Sequence, residues 1–175
     1  MLDYKKYYNL EQYLLEEVRN NFKKRGYLTA EEFFCIVIWK ANRSETKIKN
    51  RLKRFDRDLN KAIRTITSEL YNKGTQRERL KYLMSQCGFR LPMASAILTM
   101  LYPEDFTVYD VRVCDMLNNF HKLQNKTKFD RIWEGYEEFK KAVTNTVPGE
   151  VTLRDKDRYL WGKSFCKDLN DFLKK

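Results

Sequence analysis

Apolar residues recur at three- and four-residue spacing along most of this chain, and that spacing predicts a protein built of helices. Tyr7, Leu10, Tyr13, Leu14, Val18 and Phe22 form a first stripe over residues 5–24, and Gly26 follows as a C-terminal cap. Thr29 and Glu32 then stand at capping-box spacing. The helix they open is almost wholly apolar from Phe33 to Trp39, which predicts a buried helix. Ile48, Leu52, Phe55, Leu59, Ile63, Ile66 and Leu70 predict one long helix that runs down to Gly74. Thr75 opens the next, with Leu80, Leu83 and Met84 on its inner face.

A different kind of stretch begins at Cys87. Gly88 makes a tight turn, and Pro92 suits a first helical turn, where a missing N–H costs nothing. Ala94, Ser95 and Ala96 are small enough for another backbone to come close, while Met93, Ile97, Met100 and Leu101 supply an apolar face. The run "FTVYDV" is extended and β-branched, but one isolated strand cannot make a sheet. It reads as a connector that delivers Asp110 to the start of a helix over 111–120. Residues 118–128 are polar and predict a loop. Phe129, Ile132, Trp133, Tyr136 and Phe139 then line an amphipathic helix. Pro148-Gly149 predicts a turn, and Thr152 with Asp155 caps a last helix that packs through Leu153, Leu160, Trp161, Phe165, Leu169 and Phe172. The predicted fold class is all-α.

Composition narrows the field. A chain of 175 residues predicts one domain, or one domain of two lobes. Six glycines and three prolines are too few for an all-β fold with many turns. No run approaches the ~20 apolar residues of a membrane span. The start is amphipathic and carries acids, unlike a secretory signal or a transit peptide. The expectation is a soluble cytoplasmic protein with no membrane partner. Cys35, Cys87, Cys114 and Cys166 are widely spaced, and His121 is the single histidine. Zinc and iron–sulfur sites need clustered ligands, so no metal and no cofactor is expected, and the cysteines read as buried free thiols. His121, in a polar stretch, reads as a surface residue.

Charge adds a direction. The formal net charge is +11, and residues 43–102 carry +9 of it. That segment ends with the Gly88 turn and the helix after it. A tight turn feeding a helix N-terminus favours anions such as phosphate. Concentrated positive charge beside it points to nucleic acid.

The segments "QCGFRLPMASAIL" and "FTVYDVRVCDML" together resemble the helix–hairpin–helix DNA glycosylase superfamily, which includes endonuclease III and the 8-oxoguanine glycosylases. Gly88 matches the first hairpin glycine and Ala94 the alanine that follows it; Asp110 falls at the family's aspartate. "YLTAEEFFCIVIWKANR" and "LRDKDRYLW" are similar to segments of a prokaryotic branch of that superfamily. The resemblance implies two helical lobes with a cleft between them. One lobe would come from residues 45–120 with the hairpin, the other from the N- and C-terminal helices. It implies that Gly88, Phe89, Arg90 and Leu91 grip a duplex DNA phosphate, with Arg112, Arg43 and Lys47 as further DNA contacts. It makes Asp110 the catalytic carboxylate, and Trp39, Lys40, Tyr109, Arg154, Asp157 and Trp161 candidates for the base pocket. Three departures stand out. Arg90 replaces the second hairpin glycine. Pro92 replaces the lysine of the Schiff-base members, which leaves only a hydrolytic, monofunctional route. The four-cysteine iron–sulfur loop is absent. Asp110 also suits a plain helix N-cap, and then the chain would be a non-catalytic helix–hairpin–helix DNA-binding protein.

Overall fold

A computed structural model of the chain describes residues 4–147, 149 and 151–174. The regular elements among the described residues are all helices, with no strand among them. They form two compact units. The first holds the residues up to Phe89 together with Met100–Tyr102, and the second holds Arg90–Thr99 and everything from Pro103 on.

In the first unit, the predicted opening helix is a nearly continuous run. A tight 3-10 turn at Tyr4–Tyr7 leads to α1 (Leu10–Tyr13), a wide π turn at Leu14–Val18, and α2 (Arg19–Arg25). Tyr13, Leu14, Val18 and Phe22 are buried as their spacing predicts. Gly26 ends the run with φ at 76°, its N–H bonded to the Phe22 carbonyl at 2.8 Å. Glycine takes that left-handed conformation without a Cβ clash. The box of Thr29 and Glu32 then opens α3 (Ala30–Ala41), a cap worth about 1 kcal/mol. Glu32 does more than cap. It is 5% exposed, pairs with Arg25, and accepts from Asn21 Nδ2 at 3.0 Å, so one carboxylate ties α2 to α3. Within α3, Phe33, Cys35, Ile36 and Val37 are buried, whereas Ile38 faces out.

The long helix predicted to end near Gly74 is two helices, α4 (Glu45–Leu52) and α5 (Leu59–Tyr71). Asp58 interrupts it by capping α5, accepting from Asn60 N at 2.8 Å and Lys61 N at 3.3 Å. Asp56 Oδ1 accepts in turn from Asp58 N. Leu52 and Leu59 lie seven residues apart, two helical turns, so the apolar stripe stays in phase across the break and hides it. Phe55, in that stripe, is exposed on the intervening turn. A second capping box, Thr75 with Glu78, opens α6 (Gln76–Lys81), and a π turn at Tyr82–Gln86 follows.

The second unit is built around α7 (Leu91–Leu101), whose last two residues belong to the first. Beyond it come α8 (Val111–Leu117), a 3-10 turn at Leu123–Asn125, α9 (Phe129–Thr146) and α10 (Leu153–Leu173). α8 is shorter than predicted, because Asn118 turns left-handed at φ 50° and closes it. In α9, Ile132, Tyr136 and Phe139 are buried as predicted. Gly135 lets Leu123 sit against the helix: a Cβ there would lie 2.6 Å from Leu123 Cδ1. Of the predicted Pro148-Gly149 turn, Pro148 lies outside the described residues.

The last helix departs from its prediction. Leu160 is buried, but Trp161, Phe165, Leu169 and Phe172 are all exposed. Their spacing continues the face that buries Arg154 and Asp157, yet no described residue after Ser164 is buried. Periodicity gives the phase of a face and not whether a neighbour covers it. Cys166 lies on the same stretch and is exposed, whereas Cys35, Cys87 and Cys114 are the buried thiols expected. His121 is exposed and pairs with Asp115 at 2.7 Å. No helix among the described residues is long and apolar enough to cross a membrane.

Candidate functional site

Two features stand out, one in each unit. The first is the Gly88 turn. Cys87 N donates to Tyr82 O at 3.1 Å and Phe89 N to Leu83 O at 2.9 Å, so the chain is anchored on both sides of the glycine. Phe89 is 3% exposed and its ring lies 6.1 Å from that of Phe33. Gly88 itself has φ at 73°. A Cβ on it would meet Arg54 Nη2 at 3.4 Å and Arg51 Nη1 at 3.5 Å. Arg54 is exposed, and its Nε donates to the Arg51 carbonyl at 3.2 Å. Burial pushes the Cys87 thiol up to about 11, and the Tyr82 hydrogen bond and the Arg54 charge only partly oppose it. This cysteine is inert filling. Gly88→Ala is expected to cost about 1–2 kcal/mol, the penalty of an L-residue in the left-handed region, read as a lower denaturation midpoint at unchanged m-value.

Arg90 and Leu91 begin the second unit. Arg90 is exposed, and its carbonyl accepts from Met93 N and Ala94 N, both at 3.0 Å, to start α7. Leu91 is buried.

The second feature is the connector before Asp110. Phe106, Thr107, Val108 and Tyr109 are all buried, so their backbone groups need partners inside the unit. Side chains from three helices supply them. Tyr136 of α9 donates its hydroxyl to Thr107 O at 2.6 Å and accepts from Thr107 N at 3.2 Å. Asp157 of α10 accepts from Thr107 Oγ1 at 2.9 Å and Val108 N at 3.1 Å. Ser95 of α7 accepts from Tyr109 N at 2.9 Å. Asp157 is 1% exposed and is charge-balanced by Arg154, itself 8% exposed. Burial raises the Tyr136 hydroxyl far above its ordinary range, so it stays a neutral donor. Of the predicted base-pocket residues, Arg154, Asp157 and Tyr109 are thus brought together as the frame of this connector. The Tyr109 ring packs edge-on to Phe139, and its hydroxyl donates to Phe120 O at 2.6 Å.

Asp110 follows at the end of that frame, half-buried. Its Oδ1 accepts from Arg112 N at 3.0 Å, the N-cap bond of α8. The Arg112 side chain turns to α10: Nη1 donates to Asp168 Oδ2 at 2.6 Å, and its guanidinium carbon lies 5.3 Å from the Trp161 ring and 5.6 Å from Phe165. Those two rings stack on each other at 5.7 Å. Arg112 and Trp161 therefore meet as a strut between α8 and α10.

The remaining predicted residues lie in the first unit. Trp39 and Lys40 are half-buried at the end of α3, Arg43 is exposed in the turn after it, and Lys47 is exposed on α4. Sequence reasoning missed Ser95, Thr107 and Tyr136 as connector anchors. It counted Arg51 and Arg54 only as members of a charge run. Among the described residues, no three His, Cys, Asp or Glu side chains are grouped to hold a metal ion. No family model, no curated protein and no solved structure matches the chain.

Proposed function

We propose that this chain is a helix–hairpin–helix DNA-binding protein that excises a damaged or modified base as a monofunctional, hydrolytic N-glycosylase. The observation that carries the reading is the mounting of Asp110. A half-buried carboxylate stands at the end of a connector whose backbone is fixed by Ser95, Tyr136 and Asp157. A group that must act on a bond held at one place is served by such rigidity. The Gly88 turn with Arg51 and Arg54, in a segment of +9 charge, supplies the phosphate-binding side.

In the proposed reaction the bond between the base and the sugar breaks, water adds at the anomeric carbon, and a proton ends on the departing base. Asp110, ionised, orients that water or stabilises the positive charge that develops on the sugar. Pro92 offers no amine, so no Schiff base forms at that position. The test is to incubate the chain with duplexes that each carry one modified base and to score alkali-labile abasic sites. Base release from at least one duplex, with strands intact before alkali, is the expected result. No release from any duplex, with salt-sensitive binding retained, would leave the non-catalytic reading. The Asp110 N-cap bond to Arg112 N is the observation that favours it.

A further inference from the structure

We infer that the uncovered face of α10 is a self-association surface, on which two copies of this chain pair through antiparallel α10 helices in a symmetric dimer. Pairing there does not depend on the glycosylase reading.

Helix α10 has two faces. Arg154, Asp157, Leu160 and Ser164 are buried on one. The other side presents Tyr159, Trp161, Phe165, Leu169, Phe172 and Leu173, each between 43% and 73% exposed. At ~200 Å² per aromatic side chain, these six show roughly 600 Å² of apolar surface. Two copies would cover on the order of 1,200 Å², above the ~1,000 Å² that a specific interface needs. That is the small end of the range, so a dissociation constant of roughly 1–100 µM is expected.

Spacing and size make the face complementary to itself. Gly162, Phe165, Leu169 and Phe172 stand three and four residues apart, the repeat of a coiled-coil seam. Gly162 is the odd member. Glycine weakens a helix interior relative to alanine, and here no left-handed φ requires it. A Cβ on it would meet nothing within 4 Å, so no packing among the described residues accounts for the missing side chain. A second copy does. In an antiparallel pair centred near Lys167, the partner's Phe172 comes over Gly162, and the partner's Leu169 meets Phe165. The two-fold axis repeats both contacts, and large residues against small ones fill each layer. A parallel pair would set glycine against glycine and leave a void. Arg158, the next member of the seam, falls beyond the overlap, so no like charges meet in it. Lys163, Lys167 and Lys174 share the stretch with Asp168 and Asp171. It therefore lacks the single-sign charge that an anionic membrane would select. The same register sets Cys166 close to the axis, near the partner's Cys166. It is exposed, whereas Cys35, Cys87 and Cys114 are buried, so it reports on the pairing.

The test is sedimentation velocity of the full chain, freed of nucleic acid, over about 1–500 µM. Monomer should give way to dimer, and the dimer should persist at ~0.5 M salt, because apolar contact is not screened. Phe172→Glu is expected to weaken pairing at least about 30-fold. Its circular dichroism should not change, since the side chain is 73% exposed in the single chain. Gly162→Ala separates two readouts. It should raise the unfolding midpoint of the dilute monomer through helix propensity, and weaken pairing roughly tenfold by filling the seat of the partner's Phe172. A short bismaleimide reagent should join two chains, and Cys166→Ser should abolish the product. A chain that stays monomeric up to about 500 µM overturns the dimer. Binding of that monomer to phosphatidylserine vesicles would assign the face to a membrane surface instead. A dimer that survives Phe172→Glu would lie elsewhere on the molecule and overturn it too. So would a dimer that Gly162→Ala tightens, or one that Cys166 does not cross-link, since either contradicts the antiparallel register.

Discussion

Asp157→Ala is expected to destabilise the protein by about 3–5 kcal/mol, a large part of the 5–15 kcal/mol typical of a whole domain. Asp157 is 1% exposed and performs two tasks at once. One oxygen faces the buried Arg154 guanidinium, and the other accepts from Thr107 Oγ1 and Val108 N. Alanine takes a paired carboxylate away from the buried Arg154 guanidinium and leaves a backbone N–H without its acceptor, and both penalties are heavier than the loss of the bonds themselves. Urea unfolding followed by circular dichroism checks it. The mechanism has a sharper signature in the double variant Arg154→Met/Asp157→Ala. Removing the buried guanidinium as well should recover part of the loss, so the double variant should be more stable than Asp157→Ala alone. A double variant less stable than Asp157→Ala would show that the charge pair is not the source of the effect. Asp157→Asn keeps an acceptor for Val108 N and should fall between wild type and Asp157→Ala.

The connector explains how much of this molecule could be read from its sequence. The helices were legible because their apolar residues repeat locally, and caps such as Thr29 and Thr75 stand three residues from their partners. The break at Asp58 was not, because Leu52 and Leu59 keep the stripe in phase across it; the pair Asp56 and Asp58 was the signal available. The exposure of Trp161 and Phe165 was not legible either, since it depends on where neighbouring helices stop. At the candidate site, Asp110 could be found from its position at a helix start. Its supports could not. Ser95, Tyr136 and Asp157 reach the connector across 14, 29 and 49 residues of chain, and no local pattern encodes such pairings. Arg51 and Arg54 were visible as charge, while their convergence on Gly88 depends on how α4 ends.

Asp110→Asn is expected to lower base release at least about 100-fold, the lower bound for losing a positioned acid–base group, while DNA affinity stays within about twofold. The substitution suits the question because it separates the two roles of the side chain. Asparagine caps a helix as well as aspartate does, so the bond from Arg112 N survives and the midpoint of unfolding should move by no more than about 0.5 kcal/mol. What disappears is the negative charge, and only chemistry that needs an anion responds to it. Asp110→Ala makes the complementary change: it removes charge and cap together and should cost about 1 kcal/mol in stability besides the activity. If the residue served only as a cap, the stability effects would stay the same and the effects on activity would vanish. Asp110→Ala would lower the midpoint, Asp110→Asn would leave it alone, and neither would alter a function that does not involve the carboxylate. A stable, DNA-binding Asp110→Asn chain that released base at the wild-type rate would therefore remove Asp110 from the reaction. Asp157→Ala links the two experiments. Its folded fraction should release base more slowly than wild type, because the connector that holds Asp110 has lost its anchor at Val108.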